Sequence, residues 1–226
     1  MGILKSDSRL MQSFRLLFDY LAANLVFVAC CIPVITIGSA HVALYTAIRC
    51  LQRGQPWLRT FWETFKTSLK RPTIVWVVCL PIIYLFTGLL FTITSLGLEG
   101  STPAIVCAGI VLGVVACVAS MAFLLYSRFE MTAKELFRNS LVMIIANPIQ
   151  AVLGAALLWA PVAIFVLVPW LFLEIAFWLL IIYFSVASAL FARLMRYPIG
   201  RLADEIPEKP EPYLIREAKK LAGRKK

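Results

Sequence analysis

Long uncharged apolar stretches alternate along this chain with short basic segments. Its 22 lysines and arginines fall into four blocks, at residues 1–15, 49–71, 128–138 and 193–226, with none between. From Pro72 to Ser127 the only charge is Glu99, and from Asn139 to Ala192 the only charge is Glu174. A bilayer crossing takes about 20 apolar residues, so each stretch accommodates two crossings and a turn. With no water to satisfy the backbone in hydrocarbon, the crossings must be helices. The pattern predicts spans at residues 73–95, 103–126, 141–168 and 171–192.

The first apolar stretch, residues 20–48, is uncharged over 29 positions and flanked by basic residues at both ends. A single span would leave one basic flank outside, against the positive-inside bias. A hairpin over residues 12–53 avoids this, with Pro33 and Gly38 bracketing the reversal. Gly38 to Arg49 is about 16 Å of helix, so the second arm is short or re-entrant. The same bias places both termini and all basic loops in the cytoplasm, and the turns carrying Glu99 and Glu174 outside. The expected fold class is therefore all-α: a polytopic helical membrane protein. Residues 1–197 form one integral membrane domain, and 198–226 a flexible cytoplasmic tail with a short amphipathic helix at 213–221.

Residues 60–69 read TFWETFKTSL and residues 132–141 read TAKELFRNSL, identical at five of ten positions. Thr60 with Glu63, and Thr132 with Glu135, have the spacing of a capping box. Each segment precedes a two-span hairpin, so the pattern predicts two tandem units, 57–127 and 130–192, each a juxtamembrane helix followed by two spans. In the first helix Trp62, Phe65 and Leu69 share one side, with Lys66 and Lys70 along a basic line suited to anionic lipid.

Composition excludes an ordinary soluble domain: 61% of residues are hydrophobic, 15% are charged and the mean hydropathy is +0.86. The net charge of +10 follows from the basic loops and calls for no nucleic-acid partner. Six cysteines without Cys-x-x-Cys spacing and a single histidine point to no metal site, no cofactor and no disulfide framework. No acid, base or nucleophile constellation indicates an enzyme. The polar residues able to touch a substrate inside the membrane are Asn24, His41 and Asn147, beside Gln150; interhelical hydrogen bonding is the commoner use of such groups. Gly109, Gly113 and Cys117 form a small-residue line that lets a helix approach closely, within the chain or in a homo-oligomer. Pro148 and Pro161 interrupt the 141–168 segment.

Asn24, Ile32-Pro33-Val34-Ile35-Thr36-Ile37-Gly38, Ala43-Leu44-Tyr45, Arg49, Phe61-Trp62, Phe65-Lys66, Lys134-Glu135-Leu136 and Asn147-Pro148 together resemble the YesL family of bacterial membrane proteins, over residues 10–195. Ser39 stands where that family is expected to carry proline. The resemblance implies a multi-pass protein of the bacterial cell membrane, without assigned catalytic or binding residues. It also implies association with sugar ABC transporters, as an accessory or regulatory component of carbohydrate uptake. The partners it implies are those transporters or other membrane protein subunits, beside the lipid bilayer itself. A small secondary transporter or permease is the alternative.

Overall fold

The computed structural model describes residues 9–97, 102–204 and 206–210. Among them every extended element is helical, and six helices are long and apolar enough to cross a membrane. Glu99 and the 213–221 segment lie outside the described residues.

Helix α1 (Arg9–Cys31) ends where Pro33 fixes its own φ at −75° and cannot donate to the α1 ladder. A 3-10 turn, Val34–Thr36, reverses the chain into α2 (Ile37–Gln52). The Thr36 hydroxyl lies 2.6 Å from the Cys30 carbonyl and 2.7 Å from that of Pro33, and Ser39 Oγ donates to the Thr36 carbonyl at 2.8 Å. These hydroxyls add bonds to carbonyls at the ends of α1 and of the turn, where that of Pro33 also accepts from the Thr36 amide at 2.9 Å.

Helix α2 has 16 residues, about 24 Å, and 12 of them are buried. It is the hub of the bundle, packing against α1, against α3 (Trp57–Thr67), α4 (Arg71–Leu96) and α5 (Thr102–Arg128), and against α9 (Phe184–Leu194). Gly38 permits this closeness, since a Cβ there would stand 2.8 Å from the Pro72 carbonyl oxygen and 3.1 Å from the Phe123 ring. Trp76 Nε1 donates to the Val34 carbonyl at 2.7 Å. Trp76 is the sixth residue of α4, and the twenty residues beyond it extend about 30 Å further. The α1–α2 reversal is thus level with the first turns of α4 and the last turns of α5. It does not reach their far ends, although residues Val34–Gln52 are long and apolar enough to cross a membrane.

Beyond that level α4 and α5 are largely exposed; Tyr84, Leu85, Phe91, Val106 and Ile110 face outward, as lipid-facing residues do. The inner part of α5 is the opposite, with every residue from Cys117 to Ser127 buried. Helix α6 (Ala133–Ala146) packs along α5 and stops at Asn147, and α7 (Pro148–Leu167) starts at the proline. The expected 141–168 span is therefore two helices. Pro148 lacks an amide hydrogen and takes the first position of a new helix, whereas Pro161 stays inside α7. The last span is composite: α8 (Pro169–Trp178), a π-helical turn Leu179–Tyr183, then α9. Glu174 lies exposed within α8, a turn and a half from its start.

Two further expectations are corrected. Only Thr132 makes a capping box: its amide donates to Glu135 at 2.9 Å and its hydroxyl accepts from the Glu135 amide. In the first unit α3 starts four residues earlier than expected, with Pro56 and not Thr60 before its first residue, so Thr60 lies inside the helix and its hydroxyl donates back to the Pro56 carbonyl at 3.0 Å. The tail does not begin as flexible chain: α10 (Arg196–Ala203) buries Pro198 and Ile199, whose apolar surface gains more from packing than from solvation. Its continuation docks on the end of α5, where the Lys209 amide donates to the Arg128 carbonyl at 2.6 Å and Glu208 pairs with Arg128 at 3.5 Å. Finally, Gly109 and Gly113 face open space, so this part of the small-residue line receives no helix of the described chain; Cys117 alone is packed, against Ala151.

Candidate docking site at the basic end

One end of the bundle gathers the basic side chains, which divide into two groups. Arg49 donates to the Ser127 carbonyl and Arg71 to that of Met131 at 3.3 Å, so these guanidinium groups satisfy the carbonyls where α5 ends. Lys209 stands over the Tyr126 ring at 5.2 Å, and burial lowers its pKa. This group fastens elements together. Arg59 and Lys66, by contrast, lie exposed on α3; the exposed Arg59–Glu63 pair at 3.2 Å contributes little to stability.

Helix α3 exists because Gly54, at φ +66°, turns the chain out of α2, and Pro56 then fixes an extended residue before the first turn. Its inner face buries Thr60, Phe61 and Thr64 against α2. Phe61 and Phe65 stack at 6.2 Å, and Trp62 meets both rings edge-on at 6.0 and 5.9 Å. Phe65 therefore belongs to the inner layer, while Leu58 and Trp62 keep 48% and 43% of their surface exposed. Trp57 is held in place by its Nε1 donating to Asp19 of α1 at 3.1 Å. Between them runs an open cleft of about 800 Å³, lined by Asp19, Gln55, Trp57, Arg59, Trp62 and Lys66. Aromatic faces, exposed cations and two carboxylates at one cleft form the composition that anchors a macromolecular partner. The line Leu58, Trp62, Lys66 at intervals of four was legible in the sequence; the register of Trp62, Phe65 and Leu69 obscured it.

The three polar residues singled out from sequence are placed differently. Asn24 is fully buried, and its Oδ1 accepts from the Ser185 amide at 3.0 Å. That amide lies just past the π-helical turn, where the change of helix type displaces the regular i−4 acceptor. His41 Nδ1 lies 3.1 Å from the Ile37 carbonyl; since a carbonyl accepts, the neutral ring carries its proton on Nδ1. The imidazole is set between Phe27, edge-on at 4.7 Å, and Phe123, stacked at 5.6 Å. Phe27 also touches Phe184, the residue before Ser185, so the rings around His41 lie next in the chain to the Asn24 bond. Ring contacts continue from Phe123 to Trp76 and from Trp76 to Trp159, whose Nε1 donates to Ser120 Oγ at 3.0 Å. Asn147 is remote from these rings in its contacts: it is the joint between α6 and α7, with its amide donating to Met143 and its carbonyl accepting from Ala151.

The fold defines an all-helical polytopic membrane protein. Residues 20–88 match the model of a family described as a protein of unknown function, DUF624, which includes the YesL-type membrane proteins. The match covers under a third of the chain, from within α1 to within α4, and includes the Pro33–Gly38 reversal and the face of α3. No curated protein and no solved structure matches the chain.

Proposed function

We propose that the protein is an accessory component of carbohydrate uptake, acting through the exposed face of α3 on a component of an ABC importer and not by carrying solute itself. The observation that carries the docking part is the cleft at the basic end, where Leu58, Trp62, Arg59 and Lys66 stand exposed on a helix anchored by Phe61. The assignment to carbohydrate import, and to a bacterial cell membrane with the basic end and both termini in the cytoplasm, rests on the family resemblance and the positive-inside bias. A photo-crosslinking residue at position 62 in native membranes tests this. The expected result is an adduct with an importer subunit that disappears when Arg59→Glu is added; adducts with lipid alone would contradict it. A homo-oligomer joined along the open Gly109 and Gly113 face is compatible with the same reading.

The transporter alternative draws on one observation, the π-helical break in the last span with Asn24 against it, because interrupted helices line solute sites in carriers.

A further inference from the structure

A second cleft lies between α1 and α9, away from α3. It is a groove of about 350 Å³ walled by Leu16 and Leu17 on one helix and Val186 and Leu190 on the other, with Ala189 as its floor. All four wall residues are exposed in the described structure. At the far end it closes on Ile182, and at the basic end it opens between Arg193 and Gln52, whose Nε2 donates to Tyr20 Oη at 3.3 Å. From Arg193 to Ile182 is eleven residues, about 16 Å of helix, which is half of the about 30 Å hydrocarbon thickness and hence the depth of one leaflet. Arg193 is exposed and forms no ion pair among the described residues.

We propose that this groove is a binding site for one anionic glycerophospholipid of the leaflet at the basic end, an acyl chain lying along α1 and α9 and the phosphate accepting from Arg193. Three features fit that occupant: apolar walls one leaflet deep, a cation at the headgroup level, and a neutral amide beside it in place of an acid. A zwitterionic lipid matches the walls but gains less from the single positive group. A peptide helix is a poor match, because about 350 Å³ is too little to seat a cylinder about 10–12 Å across over the groove's length.

Native mass spectrometry of the purified full-length protein in detergent, with phosphatidylglycerol and phosphatidylcholine of identical acyl chains at equal concentration, tests the site. Phosphatidylglycerol should be retained in preference, and Arg193→Gln should cut its retention about fivefold, the effect of one basic group at an anionic surface, while leaving phosphatidylcholine unchanged. Leu190→Trp, a substitution at an exposed wall position that fills the groove, should lower retention of both lipids, and Lys134→Gln, exposed on α6 and outside both clefts, should alter neither. Equal retention of the two lipids by the unsubstituted protein, no loss with Arg193→Gln, or full retention with Leu190→Trp would each overturn the proposal.

Discussion

The units at residues 57–127 and 130–192 share five of ten residues in the motifs near their starts, yet they are held together by different means. In the first, α3 starts at a proline, lies against α2 and stops at Ser68, and α4 begins at Arg71-Pro72 as one helix of 26 residues. In the second, a full capping box starts α6, which runs 14 residues to Asn147 before Pro148 restarts the chain. Relative to the shared motif, the helix-starting proline comes at 72 in one unit and 148 in the other, four residues later, or about one turn. With that displacement α6 runs to the residue before Asn147-Pro148, whereas α3 ends at Thr67, before Arg71-Pro72. The spans differ too: α4 and α5 are continuous and project beyond the bundle, whereas the last span is broken at Leu179–Tyr183 and stapled by Asn24. A shared motif in a membrane protein therefore fixes where a helix sits in the chain, while proline position and packing decide how long it runs.

The largest expected effect separates the glycines of the two units. A Cβ at Gly154 would stand 1.9 Å from the Phe191 ring, whereas none of the neighbours of Gly113 comes within 4 Å. Gly154→Ala should destabilise by about 3 kcal/mol or more through overpacking of a fully buried ring. Gly113→Ala should leave the melting temperature in detergent unchanged or slightly raised. Adding Phe191→Leu to Gly154→Ala should recover part of the loss; equal melting temperatures for the two glycine variants would remove the contrast.

Next comes the staple. Asn24→Leu leaves the Ser185 amide buried without its acceptor, at a cost of about 1–3 kcal/mol. Hydrogen exchange should accelerate at Ser185 and its neighbours in α9 while the amides of α5 keep their protection. Uniform acceleration through both units would mean that the break in the last span is not held locally.

The caps give a smaller and sharper difference. Thr132→Val removes an N-cap and should cost about 1 kcal/mol. Thr60→Val keeps the shape and removes only a hydroxyl that bonds within its own helix, so its cost should fall below that of Thr132→Val, near the lower end of about 0.5–1.5 kcal/mol. Equal shifts in melting temperature would restore the symmetric reading of the motif.

The smallest effect is in pH. The Glu135 carboxylate accepts from the Thr132 amide, and this bond, with that to the Thr132 hydroxyl, lowers its pKa from the ordinary value of 4.5. A depressed folded-state pKa gives stabilisation that is present above the unfolded value and lost as pH falls through the folded one. The difference in melting temperature between the unsubstituted protein and Glu135→Ala should therefore be full at pH 7 and shrink below about pH 4.3. A difference that grew on acidification would contradict the capping geometry.

Much of this architecture was legible in the sequence, because charge is excluded from hydrocarbon and so marks the helix ends directly. The 73–95 and 103–126 spans fall inside α4 and α5, and the Pro33–Gly38 reversal is found where the proline and glycine place it. What escaped was set by neighbours distant in sequence. The π-helical turn lies in Leu-Leu-Ile-Ile-Tyr, which holds no proline or glycine to announce it, and its partner Asn24 is 161 residues from Ser185. Thr60 matched a capping pattern that Pro56 pre-empted by starting the helix a turn sooner. At the candidate docking site the residues themselves were visible, but their register was not. Phe61 and Trp62 are adjacent aromatics of similar hydrophobicity, and only packing on α2 determines that Phe61 is buried and Trp62 exposed.

The central claim, that the chain works by contact at its basic end and does not itself translocate solute, is tested most directly by flux into vesicles containing the purified protein alone. Labelled sugars should enter at the rate of protein-free vesicles, with no saturable component. Saturable uptake of any sugar by the protein on its own would contradict the claim and make the broken last span beside Asn24 the site of transport.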